Sequence, residues 1–198
     1  MLDLLLAELA RRPHRQVVAS DRPEAAVALL LAPDPDRLLV IRRAEREGDP
    51  WSGHLAFPGG RRQAGDVDLL ATAIRETAEE TGIHLERSWC RTQLDDLLPQ
   101  TPTLPPILVR PFVLLLPEAV APGVSNEVTD SSWLPLARLA ADGVYGARSI
   151  EIRGEPRVVQ GYQLAEGFLW GMSAQIVAPV LLLWKEFAES GRPGGGSE

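Results

Sequence analysis

Phe57-Pro58-Gly59-Gly60-Arg61-Arg62-Gln63-Ala64-Gly65-Asp66 leads through Val67-Asp68-Leu69-Leu70-Ala71-Thr72-Ala73-Ile74 into Arg75-Glu76-Thr77-Ala78-Glu79-Glu80-Thr81-Gly82-Ile83. The first half reads as a loop. Pro58-Gly59-Gly60 ends the short apolar run 55–57, because neither a strand nor a helix continues easily through those residues. The second half reads as a helix that begins near Asp68, an N-cap residue type, and closes at Gly82 as its C′ residue. Leu70, Ile74, Thr77 and Thr81 fall on one side of it. Glu76, Glu79 and Glu80 fall on another, since residues three and four apart are neighbours on a helix surface.

Carboxylates placed this way repel by about a few tenths of a kcal/mol per i,i+4 pair, and Arg75 offsets part of that. A solvated acidic face is the ordinary explanation of such a charge run. A site for a hard divalent cation is the sharper one: oxygen ligands suit Mg²⁺ or Mn²⁺, which are held by few carboxylates together with substrate phosphates. The glycine loop directly upstream favours the second reading, because a bare backbone can approach a pyrophosphate closely.

The rest of the chain frames this segment. At 198 residues and 45% hydrophobic composition it has enough apolar surface for one real core. A net charge of -7 argues against a general nucleic-acid binder, but a bound cation would still admit a small anionic substrate. Cys90 is the single cysteine. An internal disulfide is therefore excluded, and a reducing, cytoplasmic setting is expected. Leu2, Leu5, Leu6 and Leu9 mark one face of an amphipathic helix over 2–12, with no signal-peptide pattern. The apolar stretch 168–184 contains Ser173, Gln175 and Pro179 and falls short of the ~20 residues of a membrane span, so it reads as a buried C-terminal helix with no membrane partner. Between these helices lie a hairpin, 25–31 and 38–41, around Pro33-Asp34-Pro35-Asp36, and strands at 89–94 and 107–116 joined by the proline-rich stretch 98–106. A short strand or helix follows at 133–139, then extended runs at 149–152 and 157–163. Strands interleaved with few helices predict an α+β layer fold. We expect a single domain over 1–190 with added N- and C-terminal helices, and a disordered Gly/Ser/Pro-rich tail over 191–198.

The quoted segment resembles the signature of the Nudix hydrolases, G-x5-E-x7-R-E-U-x-E-E-x-G-U, where U is apolar. Gly60 stands for the opening glycine, and Arg75-Glu76, Glu79-Glu80, Gly82 and Ile83 match the second half. Asp66 stands where glutamate is usual, with one extra residue before Arg75, and Thr77 replaces an apolar residue. The resemblance implies an α/β/α sandwich around a mixed sheet, with the signature as loop–helix–loop. It implies metal-dependent hydrolysis of a diphosphate linked to another moiety, with Mg²⁺ or Mn²⁺ as cofactor. Glu76 and Glu80 are then the first metal ligands, and Glu79 is a third ligand or the general base. Arg75 orients a glutamate. Asn126-Glu127-Val128 with Trp133-Leu134-Pro135-Leu136 resembles an element common downstream of the signature. Glu127 is thereby a candidate base, weighed against an exposed loop acid. Family members are often dimers, so a homodimer is a candidate assembly.

Upstream, Leu39-Val40-Ile41-Arg42-Arg43-Ala44 and Gly53-His54-Leu55-Ala56-Phe57-Pro58-Gly59-Gly60 are similar to the added signature of the coenzyme A diphosphatase branch, L-L-T-x-R-[SA]-x3-R-x3-G-x3-F-P-G-G. Leu169-Trp170-Gly171-Met172, placed at the start of the last helix, agrees with that branch. Gly48 and Asp49 occupy the region of its central arginine. Arg42, Arg43, Arg46 and Arg61, with Gly59 and Gly60, are the substrate-binding candidates. ADP-ribose, a dinucleotide or a nucleotide sugar is the alternative substrate. A fold that binds nucleotide without hydrolysing it, and an acidic structural module, are the rival classes. Trp51 reads as a base-stacking or a structural residue, and His54 as a strand residue or a phosphate contact.

Overall fold

β1 (Glu24–Ala32) is apolar at nearly every position and is buried on both faces, as the centre of a layered fold requires. The computed structural model describes residues 1–17, 22–45, 52–99, 106–152 and 154–190. β1 pairs in parallel with β6 (Leu108–Leu115), in register from Glu24 opposite Leu108 to Leu31 opposite Leu115. On its other side it pairs antiparallel with β2 (Arg37–Arg43) and β4 (Gly59–Arg61). β2 also pairs with β3 (Leu55–Ala56) and β7 (Val128–Pro135), and β5 (Cys90–Gln93) lies against β6. One parallel pair among antiparallel ones makes the sheet mixed, seven strands among the described residues.

Alternation along the strands sends side chains into two cores. Leu29, Leu31, Leu38 and Val40 face one core, shared with α1 (Leu2–Arg11), α3 (Leu136–Leu139) and α4 (Gly171–Ser190). Ala26, Ala28, Leu30 and Leu39 face the other, shared with α2 (Leu69–Thr81). The architecture is therefore α+β, helices on both faces of a mixed sheet. No helix among the described residues is long and apolar enough to cross a membrane.

Four expectations are adjusted. The chain does form a strand at Gly59–Arg61, because glycine lets it approach β1: a Cβ on Gly59 would lie 2.7 Å from Val27 Cα, and its φ is 156°. Residues 133–139 split into the end of β7 and the single turn α3. The late extended runs are longer, as β8 (Tyr145–Ile152) and β9 (Glu155–Leu164). The apolar run from 168 starts as a strand: β10 (Gly167–Trp170) pairs with β9, and the helix begins only at Gly171, whose φ is +60°. Leu169 and Trp170 thus belong to a separate three-stranded sheet ordered β10-β9-β8. The tail over 191–198 lies outside the described residues.

Candidate active site

α2 begins where the sequence places it. Asp68 accepts from Ala71 N–H at 2.8 Å, and Gly82 ends the helix with φ +70° and its N–H on Ala78 O at 2.9 Å. Thr77, where an apolar residue is usual, and Thr81 are buried, and each hydroxyl donates to the carbonyl four residues back at 2.7 Å. Their polar atoms are therefore satisfied and their methyl groups pack inward.

The loop before α2 is fastened by Asp66. Its buried carboxylate accepts from Gln63 N–H (2.9 Å), Thr72 Oγ1 (2.9 Å), Arg75 Nε (3.0 Å) and Arg75 Nη2 (2.9 Å). The Arg75 guanidinium, foremost, holds this carboxyl well below the usual range, although burial opposes it. Arg75 spends its remaining donors on the site. Nη1 reaches Glu76 Oε1 at 2.9 Å and Glu79 Oε2 at 3.0 Å, and Nη2 reaches Arg61 O at 3.1 Å. Five N–H groups meet five acceptors, the full capacity of a guanidinium.

Glu80 is the buried member of the acidic face, 5% exposed, and its Oε2 accepts from Gly59 N–H at 2.9 Å. Burial pushes its carboxyl up to about 7. The Gly59 bond and the Arg43 charge oppose this, and the charges of Glu76 and Glu127 add to it. Glu76 is also raised, by burial first, with Arg75 opposing and Glu79 and Glu127 adding. The charge of Glu127 therefore reaches both Glu76 and Glu80, and that of Glu76 reaches Glu80. A Cβ on Gly60 would lie 2.5 and 2.6 Å from the Glu76 carboxylate oxygens, so only glycine leaves room for that carboxylate.

Glu127 arrives from a loop tied to both ends of the site. Gly123 N–H donates to Thr81 O at 2.7 Å, Ser131 Oγ to Gly123 O at 2.8 Å, and Trp133 Nε1 to Val120 O at 2.7 Å. Glu127 O accepts from Ala44 N–H at 2.7 Å, next to Arg43.

The structure thus brings together Arg75, Glu76, Glu79, Glu80, Glu127, Arg43, Gly59 and Gly60. Glu79 is exposed and turned onto Arg75. The Arg61 side chain is exposed at the rim, with its carbonyl on Arg75. Arg42 is directed elsewhere: it donates to Gly53 O at 3.0 Å and to Glu166 O, against the β9–β10 turn. Arg46 and Trp51 lie outside the described residues. Among the described residues no three His, Cys, Asp or Glu side chains by themselves form a cation cage. The donor set still fits Mg²⁺ or Mn²⁺: two crowded carboxylates with raised affinity for a proton, in an all-oxygen site open to substrate phosphates. Asp66, bonded by Thr72 and in turn holding Arg75, is the anchor that spacing alone does not reveal. The signal is a carboxylate and a hydroxyl six residues apart across a helix start.

The family profile of the NUDIX domain matches residues 21–151. A Nudix hydrolase, NudL, of Cronobacter sakazakii is 30% identical over 174 residues, covering 86% of this chain and 88% of that protein. A Schizosaccharomyces pombe protein is 37% identical over 107 residues, 52% of this chain but only 32% of that longer protein. Among solved structures, a MutT/nudix family protein from Enterococcus faecalis superposes with a TM-score of 0.55 at 14% identity, covering 96% of this chain and 70% of that one, a likeness of fold. This chain belongs to the Nudix family. It is a Nudix hydrolase, an enzyme acting on pyrophosphate bonds.

Proposed function

We propose that this chain, acting as one domain over residues 1–190, hydrolyses the diphosphate of a nucleoside diphosphate derivative, with coenzyme A or a related compound as the substrate. Glu76 and Glu80 hold Mg²⁺ or Mn²⁺, and Glu79 is the third candidate ligand. The bound cation supplies charge neutralisation on the pyrophosphate oxygens and acidifies water. Arg75 holds Glu76 in place from its anchorage on Asp66. Arg43, beside Glu80, faces the substrate's phosphates. Glu127 takes the proton of the attacking water as its oxygen bonds to phosphorus and the bridging P–O bond breaks, which releases two phosphorylated products.

The observation that carries this reading is the convergence of Glu76 and Glu80 with Glu127, whose charge raises the affinity of both for a proton, as that of Glu76 does for Glu80. Support for coenzyme A comes from Arg43-Ala44 and the segment 53–60, which agree with that branch, whereas Gly48 and Asp49 stand in the region of its central arginine and count against it. The test is a substrate panel with each metal: coenzyme A, acyl-coenzyme A, ADP-ribose, NADH and diadenosine compounds. Turnover of coenzyme A and its thioesters is expected. Inert coenzyme A beside active ADP-ribose would overturn the substrate assignment.

A further inference from the structure

From Arg43 a wall of side chains runs toward the small sheet, and the hydrolytic chemistry leaves the part beyond Arg43 unused. Arg43 is close enough to Glu80 for its charge to act on that carboxylate. His54 stands opposite Arg43 across the β2–β3 connection: Arg43 N–H donates to His54 O at 3.1 Å, and Gly53 N–H to Arg43 O at 3.1 Å. Cross-strand partners share a face, so both face the α2 side. The His54 ring meets Trp170 edge-on, with centroids 5.1 Å apart and planes at 78°.

Alternation along β10 agrees with this placement. Leu169 is fully buried in the core on the α4 side, and Gly167 abuts Arg42 and Leu55 on that same side. Phe168 and Trp170 must then face the other way. The Phe168 ring lies over Gly161, where a Cβ would come within 2.8 Å of it. Above that ring, at 5.5 Å from its centroid, lies the guanidinium of the exposed Arg148. Glycine at 161 thus admits the ring, and the ring seats the arginine. Arg43 and His54, then Trp170, Phe168 and Arg148, line one path, three rings between two guanidinium groups, leading away from the carboxylates.

We propose that this face of the β8–β10 sheet recognises the part of the substrate beyond the pyrophosphate: the nucleobase stacks on Trp170, braced by His54, and a phosphate on the nucleoside meets Arg148. The inference rests on the reading that the carboxylate site takes a nucleoside diphosphate. A stacked base is worth about 1–3 kcal/mol, and an indole presents the largest ring face among side chains.

The experiment is steady-state kinetics on Trp170→Ala, Trp170→Phe and Arg148→Ala, with coenzyme A and its 3′-dephospho form. Direct binding of ADP and of adenosine 3′,5′-bisphosphate is measured in parallel by calorimetry, which needs no turnover. Trp170→Ala is expected to raise KM for both substrates about 10- to 100-fold, with the effect on KM rather than kcat, and Trp170→Phe to recover most of it. Arg148→Ala is expected to raise KM for coenzyme A and weaken the bisphosphate, with little change for the dephospho form and ADP. If wild type binds ADP through Trp170 but cleaves nothing in the panel, the hydrolytic reading fails and the recognition surface stands. If folded Trp170→Ala and Trp170→Phe both bind ADP as wild type does, the proposal is wrong. Equal losses on both substrates in Arg148→Ala would remove the phosphate contact.

Discussion

Arg75 grips Asp66 through two parallel hydrogen bonds, Nε to Oδ1 at 3.0 Å and Nη2 to Oδ2 at 2.9 Å. The pair joins the glycine loop to the middle of α2, and its other donors hold Glu76 and Glu79. Three like charges on one helix face would otherwise splay. A guanidinium fixed at its far end sets where two of them sit, as bidentate geometry allows and a lysine would not.

Asp66→Asn is therefore expected to lower activity about 10- to 100-fold, as loss of a partner behind a ligand does, and to lower stability by about 1–3 kcal/mol. The sign with pH follows from the lowered native pKa of Asp66. Its contribution is present above the ordinary aspartate value of 3.8 and is lost as pH falls below it. The gap in melting temperature between wild type and Asp66→Asn should shrink below pH 4. A constant gap would show that the carboxylate's charge is irrelevant to the clamp.

Glu80 carries the opposite sign. Its native pKa of about 7 lies above the ordinary 4.5, so the metal-free protein binds more protons folded than unfolded between those values. Stability then falls as pH rises through that window, by roughly 3 kcal/mol if the whole shift is expressed. Melting in chelator should show this decline from pH 5 to 8, and Mg²⁺ or Mn²⁺ should reverse it by displacing the proton. Because Glu80 is buried rather than exposed, Glu80→Gln should be more stable than wild type at pH 8 without metal, while losing nearly all turnover. Full activity in that variant would remove Glu80 from the site.

The two glycines of the loop separate folding from chemistry. A methyl on Gly60 meets only the movable end of Glu76, so Gly60→Ala should cost under about 1 kcal/mol in stability and about 10- to 100-fold in activity. A methyl on Gly59 meets the β1 backbone at Ala26 and Val27, in a φ region that favours glycine. Gly59→Ala should cost more than about 2 kcal/mol. Thermal melts beside turnover assays would read both, and equal destabilisation by the two substitutions would contradict the geometry.

The helix half of the site was legible because its signals are local: an N-cap at Asp68, period-3.6 patterning, a C′ glycine and carboxylates at i, i+3 and i+4. β1 and β6 were legible as apolar runs. What escaped depends on partners distant in sequence. Gly59–Arg61 looks like a loop until β1 lies beside it. Glu80 looks like its neighbours until the fold places it under Gly59 N–H. Arg42 and Arg43 are adjacent arginines, and only strand alternation sends one to the β9–β10 turn and the other to the carboxylates. Phe168-Leu169-Trp170 has the composition of a helix and a strand alike. The deciding signal was the Ala165-Glu166 turn with Gly167 before it and Gly171 after it.

Glu127 gives the last test, because its two effects have different origins. It is exposed, so Glu127→Gln should change stability by no more than about 0.5 kcal/mol at low pH. Its charge raises the proton affinity of Glu76 and Glu80, so its removal should shift the metal-free stability decline of wild type toward lower pH. If Glu127 also takes the proton from the attacking water, kcat should fall about 100- to 10,000-fold with KM little changed. A shifted stability profile with full kcat would leave Glu127 as an electrostatic neighbour and move the base to Glu79. Loss of kcat together with weaker binding of Mn²⁺, read by electron paramagnetic resonance, would make it a metal ligand instead.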